Sequence, residues 1–88
     1  MTKEELSAKI AQGEYTDCQR DSKYSVSFRI GGAKASVTKV GNSIMAMTVI
    51  STEISEDEYK KILKKAFENE LKRAYTQINE ITESMNKL

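Results

Sequence analysis

Apolar and polar positions alternate strictly through the middle of the chain. Tyr24, Val26, Phe28 and Ile30 fall on one side of Ser25, Ser27 and Arg29, a period of two that predicts a strand with one dry and one wet face. Gly31-Gly32 follows, a pair suited to the positive φ of a two-residue hairpin turn. The return strand, 33–40, sets Ala33, Ala35 and Val37 against Lys34, Ser36 and Thr38. Its alternation breaks at Lys39-Val40, which predicts a bulge or the strand's end. After a turn at Gly41-Asn42, a third strand over 44–51 carries Ile44, Ala46, Thr48 and Ile50 on one face and Met45, Met47 and Val49 on the other. Both faces are largely apolar, so this strand is expected to be covered twice or to lie at an interface.

Helical periodicity brackets these strands. Thr2 and Glu5 have the spacing of a capping box, opening a short helix over about 3–12, with Leu6, Ile10 and Ala11 as its apolar stripe and Gly13 as its C′ residue. Glu14 to Asp21 is ambiguous between an edge strand and a polar loop. Ser55 and Glu58 form a second capping box, and no Gly or Pro interrupts the chain from there to Leu88. A helix over about 56–86 would be roughly 46 Å long at 1.5 Å per residue, whereas seven-residue strands span only about 23 Å. The helix must therefore overhang its sheet. Tyr59, Ile62, Leu63, Ala66, Phe67, Leu71, Ala74 and Tyr75 make a broad stripe suited to lying on a sheet. From Leu71 the apolar positions narrow to Leu71, Ala74, Ile78, Ile81, Met85 and Leu88, in alternating steps of three and four that read as a heptad seam. The alternative is a helix that frays after about Ile81. The predicted fold is α+β, in the order α-β-β-β-α: one domain, a three-stranded antiparallel meander covered on one face by both helices. A homodimer is expected, held by the seam (Leu71, Ile78, Ile81, Met85), by the third strand (Met45, Met47), or by both. The methionines have core filler as their alternative role.

Composition narrows the chemistry. With 88 residues the core is small, and oligomerisation commonly stabilises such domains. Cys18 is the single cysteine and there is no histidine, so neither an intrachain disulfide nor a Cys/His zinc site is possible. The usual general base at neutral pH is missing too, and the serines lie in no recognisable nucleophile motif. No cofactor is implied and enzymatic activity is not expected. The opening Met1-Thr2-Lys3-Glu4-Glu5 has no apolar signal-peptide region, and no run nears the ~18 apolar residues of a membrane span, so a cytoplasmic setting is expected.

The net charge of +1 conceals blocks: Lys23, Arg29, Lys34 and Lys39 with no acid over 22–52, then Glu53, Glu56, Asp57 and Glu58, then six cations over 60–73. Two surfaces follow. Glu4, Glu5, Glu14, Asp17 and Asp21 would join Glu53, Glu56 and Asp57 as one acidic, partner-binding side if the fold brought them together, although acids in a helix's first turn are expected from its dipole alone. Alternatively Arg29, Lys34, Lys39, Lys60 and Lys64 would contact nucleic-acid phosphates, helped by the hydroxyls of the hairpin's wet face. The lysine pairs on the helix are equally what a solvated face carries, with i,i+4 support from Glu56 to Lys60, Asp57 to Lys61 and Glu68 to Lys72.

The layout adds a resemblance. A capped helix running into Ile10-Ala11-Gln12-Gly13-Glu14-Tyr15-Thr16, a glycine-turn hairpin and a helix capped by Ser55 and Glu58 resemble the architecture of small phage-encoded inhibitors of host proteins, among them anti-CRISPR proteins and inhibitors of the nucleoid protein HU. The resemblance implies binding and blocking of a host protein in the host cytoplasm. The group's DNA mimics are strongly acidic, so for this near-neutral chain it implies an acidic patch and not whole-surface mimicry.

Overall fold

A computed structural model describes residues 1–88, as α1 (Lys3–Ala11), five strands β1 (Tyr15–Ser22), β2 (Ser25–Ile30), β3 (Ala33–Val40), β4 (Ser43–Met47) and β5 (Ser51–Glu53), and α2 (Glu56–Asn86). The sheet is an antiparallel meander in the order β1-β2-β3-β4-β5. The α+β class and the central meander agree with the sequence pattern, and the sheet gains a strand at each edge.

Local signals account for the helix ends. The Thr2 hydroxyl accepts from the Glu5 N–H at 3.1 Å, while no reciprocal bond from the Glu5 side chain forms, so only half of that box is made. At the other end Gly13 adopts φ 72°, and the Glu14 N–H donates to the Lys9 carbonyl at 2.9 Å while the Gly13 N–H donates to that of Ile10 at 3.1 Å. This is a Schellman ending, which a residue with a Cβ would strain. Both halves of the Ser55–Glu58 box are formed, at 3.0 and 3.1 Å. Gly31 and Gly32 both take positive φ, 56° and 78°, the primed turn that matches the twist of β2 and β3.

The two extra strands have different origins. β1 pairs with β2 through two register shifts, and Asp17 sits at φ 55° between Tyr15 and Cys18, which are both buried. The bulge inserts an unpaired step, so the strand's apolar residues are not two apart and its sequence is ambiguous between an edge strand and a loop, of which the strand is what forms. The predicted strand over 44–51 stops at Met47. Thr48 to Ile50 turn back tightly, the Thr48 N–H donating to the Ile50 carbonyl at 2.7 Å and the Ile50 N–H to Thr48 Oγ1 at 3.3 Å. Val49 projects into solvent, 98% exposed, and β5 then pairs Thr52 with Ala46. Tyr24 and Ala33, expected on the dry face, lie exposed at the hairpin ends. Of the two outcomes expected at Lys39-Val40 it is the strand's end that occurs: β3 stops at Val40, with no bulge, in register with β4 through Val40 and Ser43.

One apolar cluster unites Leu6 and Ile10 of α1 with Val26, Phe28, Ile30, Val37, Ile44 and Ala46 of the sheet and Tyr59, Ile62 and Ala66 of α2. Both helices therefore cover the same face. α2 lies chiefly over β1, and α1 leans toward β5. The longest dimension of the molecule is 55 Å against 28 Å for the next, because α2 outruns the sheet. No helix is long and apolar enough to cross a membrane.

Candidate functional site

The most distinctive surface is the distal half of α2. Ala66 is its last buried residue, Asn69 and Glu70 are half-buried, and every position from Leu71 to Leu88 is exposed. Leu71 to Asn86 is a free helix of about 24 Å at 1.5 Å per residue. Nothing in the monomer covers Leu71, Tyr75, Ile78, Ile81 or Met85. The broad stripe read from the sequence is thus split. Tyr59, Ile62 and Ala66 enter the core, Leu63 is half-buried against it, and Phe67, Leu71, Ala74 and Tyr75 do not enter it. The helix is continuous past Ile81 to Asn86. Inside the free half, the Thr76 and Thr82 hydroxyls donate to the Lys72 and Ile78 carbonyls at 3.0 and 2.9 Å, turning those side chains back along the helix.

Arg20 of β1 marks where the packed half ends. Its Nε and Nη2 donate to the two carboxylate oxygens of Glu70 at 2.5 and 2.9 Å, a bidentate fork, while its guanidinium carbon stands 4.6 Å from the Phe67 ring centroid. Just before it, Asn69 Nδ2 donates to the Cys18 carbonyl at 3.1 Å. β1 grips α2 here through polar groups, and no sequence signal joins residues so far apart in the chain. The hydrogen bonds from Arg20 hold the Glu70 carboxyl below its usual value, against a smaller desolvation penalty, with the Arg20 and Arg73 charges adding to the lowering. A depressed carboxyl pKa stabilises the fold fully above the ordinary carboxylate value and loses that contribution as pH falls through the lowered one. Glu70→Gln should therefore lower the melting temperature at pH 7. The gap between the two proteins should close as pH falls below about 5, since that is where an unfolded Glu begins to protonate. Equal melting at pH 7, measured by circular dichroism, would contradict the role given to this fork.

The outer face of the sheet is uncovered. Across it run a row of Gln19, Ser27, Ser36, Met47 and Ser51 and a row of Ser25, Thr38, Met45 and Glu53. Arg29 and Lys34 are cross-strand partners beyond them. Asp21 accepts a hydrogen bond from Ser27 on this side, and Asp17 lines a shallow hollow there with Gln19, Ser27 and Arg29. Met45 and Met47 are therefore surface residues and not core filler, Met45 half-buried and Met47 exposed. They lie on the opposite side of the sheet from α2, so strand and helix do not form one continuous dimer surface.

The single acidic side is not assembled. β1, with Asp17 and Asp21, and β5, with Glu53, are opposite edges of the sheet, about 19 Å apart at 4.8 Å per strand. Glu4 reaches the β5 side, lining a hollow with Lys3, Ser7 and Thr52, and Glu5 and Asp57 are exposed in the first turns of their helices. Two acids are neutralised locally, Glu14 by Lys9 at 3.7 Å and Glu56 by Lys39 at 3.5 Å. None of the three expected i,i+4 pairs on α2 forms, and Glu56 turns to β3 instead of Lys60.

The basic set divides as well. Arg29 and Lys34 occupy the outer face. Lys60 and Lys64 ride on α2 across the sheet, and Lys64 joins Lys61 and Lys65 around a hollow of about 390 Å³ beside Ile10 and Tyr15. Lys65 Nζ lies 4.6 Å from the Tyr15 ring centroid. Cys18 is 1% exposed, and burial pushes its thiol up, outweighing the lowering effect of Lys65, which makes it a poor nucleophile. No protein-family model, curated protein or solved structure matches the chain.

Proposed function

We propose that this chain is a non-enzymatic protein-binding module. Its support is the free half of α2: an apolar stripe on some 24 Å of helix has no cover within the monomer, and an exposed stripe of this kind marks a surface for interaction. Binding serves to occupy and block a host protein from the host cytoplasm, the mode implied by the architectural resemblance to phage inhibitors. The outer sheet face, with its mixture of charge, hydroxyls and methionine, supplies the specific contact.

A second reading, nucleic-acid binding, draws on the cross-strand pair Arg29 and Lys34 among Ser25, Ser27, Ser36 and Thr38. One pair of experiments separates the two. Under the first reading, the immobilised chain recovers one stoichiometric protein from a bacterial lysate and gives no gel shift with DNA or RNA at low salt. A salt-sensitive shift that disappears in the double variant Arg29→Glu, Lys34→Glu, with no protein captured, would replace it by the second.

A further inference from the structure

We infer that the free half of α2 is occupied by the same segment of a second copy of this chain, running antiparallel, with the two-fold axis passing beside Thr76. The inference rests on the protein-binding reading and names the partner of that helix. A helix that packs on a heptad seam needs a partner with the same repeat, and α2 itself supplies one: Leu71, Ile78 and Met85 at a positions and Phe67, Ala74 and Ile81 at d positions. The seam is rotated by about a quarter turn from the stripe of Tyr59, Ile62 and Ala66, at 3.6 residues per turn. A second helix can therefore run alongside the free half, meeting the sheet only at Arg20, whose guanidinium stands over Phe67.

Antiparallel packing sets a against d across the pair. Centred near Thr76, it opposes Phe67 to the partner's Met85, Leu71 to the partner's Ile81, and the small Ala74 to the partner's Ile78. Sulfur meets a ring in the first layer and small meets large in the last. The flanks agree with this register. On one, Tyr75 meets its own copy. On the other, Gln77 meets Gln77 of the partner subunit, with Arg73 level with Glu80 of the partner subunit on either side. Parallel packing would instead level Arg73 with Arg73 and Glu80 with Glu80, and would align two helix dipoles.

Within the free half the flanking e and g positions Tyr75, Gln77, Thr82 and Ser84 carry no charge; of the acids at the preceding e and g positions, Glu68 and Glu70, the second is held by Arg20. At roughly 60–120 Å² for each large apolar side chain, Phe67, Leu71, Tyr75, Ile78, Ile81 and Met85 of both copies hide on the order of 1,000 Å², the threshold of a specific interface.

The test is disulfide trapping on the full chain. Chains carrying Leu71→Cys are mixed with chains carrying Ile81→Cys, and each variant is also oxidised alone. The expected result is a crosslinked dimer in the mixture only. Like positions in the antiparallel pair stand about 15 Å apart along the axis, beyond the span of a disulfide. Cys18, 1% exposed, stays out of reach. Crosslinking of each variant alone would establish a parallel pair and overturn the inference. So would a monomeric wild-type chain in sedimentation at high concentration, which leaves the helix to a foreign partner. In sedimentation, Ile78→Lys with Ile81→Lys should weaken self-association by at least ~100-fold, with an unchanged sheet signal. An unaltered dimer in that variant would equally overturn it. Capture of a stoichiometric protein by a monomeric chain would preserve the protein-binding reading while removing this one. Loss of capture with the dimer intact would do the reverse.

Discussion

Ile62→Ala should destabilise the fold by about 2–5 kcal/mol, the range for truncating a fully buried aliphatic side chain. Ile62 is wholly buried, with Tyr59 and Ala66 one turn to either side on the same stripe, and it belongs to the cluster that also holds Leu6 and Ile10 of α1. No second core exists to take up the loss. Domains of this size have only about 5–15 kcal/mol in total, so the variant should melt well below the wild type in urea or on heating. Ile81→Ala, a change of the same chemistry on the same helix, should leave the folding of the monomer within about 0.5 kcal/mol of wild type, because Ile81 is 61% exposed and touches no core residue. Equal losses at the two positions would mean that the distal helix packs on the sheet.

Ending the chain at Glu70 should separate folding from assembly. Every residue removed is exposed. The truncated chain keeps the capping box, the Arg20–Glu70 fork and the whole core, and should still unfold in one cooperative step. It loses about half of α2, and its helical circular dichroism should fall accordingly. Concentration dependence is the sharper readout. Association couples stability to protein concentration, so the full chain should melt higher as concentration rises while the truncated chain melts at one temperature throughout. Failure of the truncated chain to fold would show that the distal half contributes to the core. A melting point of the full chain that ignores concentration would remove the self-pairing.

What the sequence made legible was whatever depends on near neighbours. The Ser55–Glu58 box and an uninterrupted run of helix formers mark the start and length of α2, because both act within a turn or two. The β2–β3 hairpin was legible because its alternation is regular and Gly31-Gly32 permits only a tight turn. β1 stayed ambiguous between an edge strand and a loop because a bulge with a positive φ at Asp17 disrupts the alternation that would announce it. β5 was hidden because Val49 and Ile50 resemble a continued strand, although Thr48 reverses the chain there. Charge was the least legible. An acidic run gives no sign of which sheet edge it will occupy, and a five-strand meander sends its first and last strands to opposite edges. The grip of Arg20 on Glu70 and Phe67 joins β1 to α2 across the sequence, and periodicity carries no trace of such a pairing.

The length of α2 has a consequence for geometry at a distance. In the proposed pair each sheet is anchored near Ile62, some fourteen residues from the axis beside Thr76, so two joined copies would hold their domains about 40 Å apart at 1.5 Å per residue. Such a pair would be a bar with an identical face at either end. A target that displays two sites at that spacing is held with an avidity that neither end provides alone, while one with a single site is not. In that pair the length of the tail would set the interval of paired sites that both ends can reach together.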